Sequence, residues 1–242
     1  MRKITGETIA DFSPSENGFV FTSVNLLESG SQKVSFYSYD AITDSAEPMI
    51  TPVTKKTYAQ LKFGGHGAEI SEQLGNNAEF LFNDCTRFYN NSIVALDDNG
   101  NFSRFSPDGV LEERKRLLYR EKYPTSSPAA YKHTLWCAVS GANSIVNYCI
   151  EDNKIHVRVI GLGKTIFDYP QSITIVDNNL YVCNRDSGKI NFIQLDKSYQ
   201  MGIFKAFKEP VYKYIRSCDK DFVLLESGIY EVEPNEFKPY KK

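Results

Sequence analysis

Histidine, methionine and tryptophan are scarce in this chain, with 3, 3 and 1 among 242 residues. The histidines, His66, His133 and His156, are scattered, and their surroundings do not read as a metal motif. No metal or other cofactor is expected. No run of about 18 apolar residues exists, which predicts no membrane-spanning helix. Met1-Arg2-Lys3 is basic, but no apolar stretch follows it, so no signal peptide is expected. A net charge of −2 and a pI near 6 supply no global pull toward nucleic acid or an anionic membrane. Basic and acidic residues are interspersed, which predicts no nucleic-acid surface.

The five cysteines, Cys85, Cys137, Cys149, Cys183 and Cys218, form no C-x-x-C pair. An odd count without a secretion signal predicts reduced thiols, most of them acting as small buried hydrophobes. A cytoplasmic setting, or one inside an assembled particle, follows as an expectation. No G-x-S-x-G elbow occurs. Gly163-Lys164-Thr165 ends like a P-loop, but Arg158 occupies the position where that motif requires glycine.

Aromatic residues are abundant. Fifteen tyrosines and 16 phenylalanines favour strands over helices. Short apolar runs begin at Phe19, Ile93, Leu135, Leu180 and Phe222, and each leads through a polar turn into a second alternating run. The last four starts are 42, 45 and 42 residues apart, the length of a four-stranded propeller blade. The clearest unit reads Ser172–Val176, a turn at Asp177-Asn178-Asn179, Leu180–Cys183, a turn at 184–188, Lys189–Leu195 and Met201–Ala206. In the last unit Val211–Ile215, Phe222–Leu225, Ile229–Val232 and Phe237–Tyr240 are expected to form four strands of their own. Asn99-Gly100 is the strongest hairpin signal.

Phe167-Asp168-Tyr169-Pro170 through Leu180-Tyr181-Val182 resembles the NHL and related WD-type propeller repeats, with Phe207 to Pro210 a weaker match. The glycine usual after the proline and the aspartate usual after "tyr-val" are missing. The resemblance implies an all-β propeller of four-stranded blades and leaves the activity open. Five blades are expected, with six as the alternative. Phe19 and Ile93 are 74 residues apart, which predicts an insertion or a degenerate blade within 41–82. The segment Val110–Tyr123 reads as a short charged helix or an outer edge strand. The whole chain, 1–242, is expected to be one domain.

Candidate binding residues sit near turns. His66 lies among glycines in Phe63–Glu69. Tyr123, Tyr131 and Tyr169 flank strands, and the 184–188 turn offers Arg185 and Asp186. Tyrosines near turns suit a contact face, since tyrosine and tryptophan are enriched in hot spots. The loop carboxylates Asp11, Asp84, Asp168, Asp186 and Glu226 are candidates for acid–base chemistry on a sugar, but they fill no repeated column. No catalytic residue is assigned. The expectation is a non-enzymatic platform for protein partners in a larger assembly. A glycosidase- or lactonase-like propeller and a lectin-like module are the alternatives.

Overall fold

In the computed structural model, residues 1–5, 8–48, 67–74, 84–88, 90–156, 166–196, 200–233 and 238–239 are described. Among the described residues, five antiparallel blades, each of four strands with one extended by a fifth, make an all-β propeller. Two compact units divide the chain, Met1–Phe82 with Ile215–Glu233, and Asn83–Tyr214 with Pro234–Lys242.

The first unit carries the sheet of β2 (Ile9–Ser15), β3 (Gly18–Leu26), β4 (Gln32–Asp40) and β5 (Ser45–Pro48). Phe19 anchors its core, with ring centroids 4.8 Å from Phe12, 4.7 Å from Tyr39 and 5.0 Å from Phe222. Such pairs add about 0.5–1.5 kcal/mol beyond the area they bury. The last sheet runs β1 (Arg2–Thr5), β22 (Gly228–Val232), β21 (Lys220–Leu225) and β20 (Val211–Ser217).

This sheet corrects the expected strand order. The last repeat does not supply its own fourth strand. Arg2–Thr5 takes that place beside β22, and Arg2 ties it down by bonding Asp44, Glu231 and Tyr39. Lys238–Pro239 (β23) instead becomes a fifth strand beside β19 (Met201–Ala206). An open strand edge needs a partner, and the chain's first residues satisfy this one.

The second unit carries three blades. The first is β6 (Asp84–Arg87), β7 (Ile93–Leu96), β8 (Asn101–Phe105) and β9 (Leu111–Arg116). The next is β12 (Ser126–Tyr131), β13 (Thr134–Val139), β14 (Ser144–Cys149) and β15 (Lys154–His156). The third is β16 (Pro170–Val176), β17 (Asn179–Asn184), β18 (Lys189–Gln194) and β19. Valine, leucine and aromatic side chains alternate inward and pack blade on blade. Leu96, Phe102 and Leu135 share one core, and Trp136, Ile173 and Leu180 share the next.

The segment 110–123 is an edge strand rather than a helix. Leu111–Arg116 alternates half-buried and exposed side chains beside β8. A small ribbon of β10 (Leu118–Tyr119) and β11 (Tyr123–Pro124) follows it. Glu112, Arg114 and Arg116 form the solvent face of this outer strand, whereas Glu113 and Lys115 are half-buried on the other face, where Lys115 bonds Tyr148 and Asn153. Within 41–82 the described part is the end of the first blade and one short helix, Gly67–Leu74. Met49–Val53 and Glu79–Phe82 lie outside the described residues.

Candidate functional site

In the second unit the turns preceding the edge strands β12 and β16 lie beside the turns leaving β13 and β17. Tyr123 precedes β12, and its ring packs over Gly141 so closely that a Cβ there would stand 3.3 Å from it. Gly141 belongs to the short turn Ser140–Ala142. From that turn Ser140 Oγ donates to Pro170 O at 2.7 Å. Asn143 Oδ1 accepts the Tyr169 N–H at 2.8 Å. Tyr169 then carries Arg185, whose guanidinium carbon is 3.7 Å from the ring centroid. Arg185 Nε also donates to Asp186 Oδ1 at 2.8 Å, and this bond raises the guanidinium pKa against the effect of burial. Tyr123, Tyr169, Arg185 and Asp186 therefore form one strip of contacts.

The strip rests on a buried amide pair. Asn184 is fully buried and Asn191 almost so. Asn184 Nδ2 donates to Asn191 Oδ1 at 2.6 Å and to the carbonyls of Val182 and Lys189 at 3.1 Å each. Asn184 Oδ1 accepts the Asp168 N–H at 3.1 Å. Above them the Arg185 N–H donates to Tyr169 O at 3.0 Å, and the Asp186 N–H to Asp168 O at 3.3 Å. These bonds hold Tyr169 at φ +55, a left-handed conformation on the residue just before a proline. At the end of the same turn Gly188 has φ +62, and its Cβ would meet Glu209 O at 2.6 Å.

A second cluster in this unit gathers charge. Asp84, at the start of β6, accepts from Lys213 Nζ at 2.7 Å. Asp98, in the hairpin after β7, is solvent-accessible by area yet densely surrounded by protein. Its carboxyl is pushed up to about 6 by desolvation, then by the negative charges of Asp84 and Asp97, with Lys213 opposing. The charge of the Lys213-paired Asp84 thus reaches the Asp98 carboxyl. The buried thiol of Cys183 is pushed up to about 12, and burial raises Cys137 further, so neither is a thiolate nucleophile at neutral pH.

Of the sequence candidates, Tyr131 stands apart. It ends β12 beside Thr134, opposite the strip, and lines a cleft of about 490 Å³ with His133, Trp136 and His156. His66 lies outside the described residues. Asp11 and Glu226 belong to the first unit, and Asp11 is buried there. Asp98, Lys213, Asn184 and Asn191 carry much of the local geometry, and sequence reasoning missed them as site residues. Asp98 reads as an ordinary turn acid in Asp97-Asp98-Asn99-Gly100. A polar residue at an inward strand position was the available signal for Asn191.

No protein-family model matches the chain, and no curated protein matches it. Solved structures do resemble it. Virginiamycin B lyase from Staphylococcus aureus aligns with 13% identity over 100% of this chain and 72% of its own, with a TM-score of 0.51. A streptogramin B lyase aligns with 14% identity over 94% of this chain and 65% of its own, with a TM-score of 0.49. A structure described as a putative 6-phosphogluconolactonase, from Bacteroides uniformis, aligns with 12% identity over 96% of this chain and 69% of its own, with a TM-score of 0.49. At 13% identity the likeness to virginiamycin B lyase speaks to fold alone.

Proposed function

We propose that this chain is a binding platform for a protein partner, with the turn strip of the second unit as its contact face. The observation that carries this reading is Tyr169, held at φ +55 over a buried asparagine pair with Arg185 stacked upon it. A non-glycine residue held in a strained backbone region costs about 1–3 kcal/mol and persists only where its surroundings over-determine it. Here the network presents a tyrosine and an arginine already ordered, which lowers the entropy lost on binding. Both residue types are enriched among interface hot spots.

The test is size-exclusion with light scattering on native extract, with mass spectrometry of what co-elutes. The identified partner is then titrated against the Tyr169→Ala and Arg185→Ala variants. Each should weaken binding at least tenfold. Unchanged affinity in both would remove this strip from the interface.

The Asp84–Asp98 cluster supports a second reading, a propeller hydrolase acting on a sugar or lactone. Asp98 would supply the proton and Asp84 the negative charge. A substrate panel compared between the native chain and Asp98→Asn decides it. Turnover lost in the variant supports the reading, and no turnover on any substrate sinks it.

A further inference from the structure

We propose that the hairpin joining β14 and β15 binds a zinc-class divalent cation on Cys149, Asp152 and His156. The spacing is Cys-x-x-Asp-x-x-x-His. Cys149 ends β14, Asp152 lies in the turn and His156 ends β15. In the register Cys149 faces Lys154 and Asn147 faces His156, which puts the thiol and the imidazole on one face of the sheet. One ligand atom from each of the three lies within 4.8 Å of the other two. His156 Nε2 is already 2.5 Å from Asp152 Oδ2.

Zinc bonds sulfur at about 2.3 Å and nitrogen or oxygen at about 2.0–2.2 Å, so its ligand atoms must sit close together. One short hairpin supplies all three ligands, and little chain entropy is lost in assembling them. The donor set also selects the metal. Thiolate and imidazole suit zinc-class ions, whereas magnesium and calcium prefer oxygen alone. One thiolate and one carboxylate neutralise a dication. On binding, Cys149 releases its proton to solvent, while His156 ligates through Nε2 and carries its remaining proton on Nδ1. Lys154 stands across from Cys149, but it is exposed and can turn into solvent.

The cleft is an independent observation that favours a ligand here. Cys149 and His156 both line the space of about 490 Å³ that Tyr131, His133, Trp136 and Asn147 also border. Three protein ligands on a tetrahedral ion leave one position for water or an incoming group. A cleft beside the ligands gives that position room. The three histidines are scattered in sequence, and no carboxylate spacing was expected around them. Asp152, four residues before His156, was the missed signal.

The test titrates the full chain with Co²⁺ while its visible absorption is recorded, followed by Zn²⁺ calorimetry. One Co²⁺ per chain should bind with a thiolate-to-cobalt charge-transfer band, and Zn²⁺ should displace it. Cys149→Ser should abolish the band. His156→Ala and Asp152→Asn should each weaken Zn²⁺ binding at least tenfold. Asp152→Asn retains the side-chain oxygen that caps the Lys154 N–H, so it preserves the turn. Cys218→Ser, at an exposed free cysteine, should change nothing. Absence of saturable binding, or a band that survives Cys149→Ser, overturns the proposal.

Discussion

Asn184 Nδ2 donates to Asn191 Oδ1 at 2.6 Å, between two side chains that solvent hardly reaches. This pair is the base of the turn strip, because Asn184 also bonds the backbone of Asp168, one residue before strained Tyr169. A buried polar network stabilises only when its members are satisfied. Asn184→Ala removes the amide that donates to Asn191 and to two carbonyls and the oxygen that accepts the Asp168 N–H. It should lower unfolding stability by about 2 kcal/mol. Urea unfolding should show a lower midpoint with an unchanged slope. A stability within experimental error of the native chain would mean that the network does not carry the turn.

Gly188 tests the same turn from its other end. Its φ is +62, and an added Cβ would stand 2.6 Å from Glu209 O and 2.7 Å from Phe207 O. Both obstacles are backbone and cannot swing away. Gly188→Ala should destabilise by about 1–3 kcal/mol through strain and displacement of the Phe207 N–H from Gly188 O. An alanine variant as stable as the native chain would refute the close approach.

The clasp on the N-terminal strand gives a local prediction. Arg2 bonds Asp44, Glu231 and Tyr39, and burial together with Asp44 pushes the Tyr39 phenol up to about 12. The charges are largely exposed, so the effect on global stability is small. The effect on β1 is larger, since among the described strands this short edge strand pairs with β22 alone. In Arg2→Ala, amides of Arg2–Thr5 should exchange faster with solvent while those of β21 stay protected. Unchanged exchange in β1 would show that backbone pairing alone suffices.

The sequence carries the blade repeat plainly because the repeat is local. Each hairpin is set by alternation and by turn residues such as Asp97, whose carboxylate accepts from the Asn99 and Asn101 N–H groups. The origin of the last blade's fourth strand was not legible. Lys3 and Tyr230 pair across most of the chain, and periodicity says nothing about such partners. Phe237–Tyr240 has a strand-like pattern, which points to its own repeat. In the site, residue types near turns pointed to Tyr169, Arg185 and Asp186, which the structure brings together. Asp84, Asp98 and Lys213 come from separate strands and turns, and only the fold gathers them. Tyr131 looked equivalent to Tyr169, yet it ends its strand where Tyr169 precedes one.

Asp98 supplies a pH test with a definite sign. Its carboxyl rises from the ordinary 3.8 to about 6 in the folded chain, through desolvation and the charges of Asp84 and Asp97. Between these values the folded state holds a proton that the unfolded state has released. Stability therefore falls as pH rises through that window. Below it both states are protonated, and above it both are ionised, so the contribution levels off at each side. Asparagine resembles the protonated acid and cannot ionise. Asp98→Asn should remove this part of the pH dependence and gain stability relative to the native chain as pH passes from about 4 to about 6. The measurement is the difference in urea midpoint between the two proteins across that range, which cancels the other titrating groups. A difference that stays constant with pH would place the Asp98 carboxyl in an ordinary solvated setting, and the acid–base reading of the cluster would fall with it.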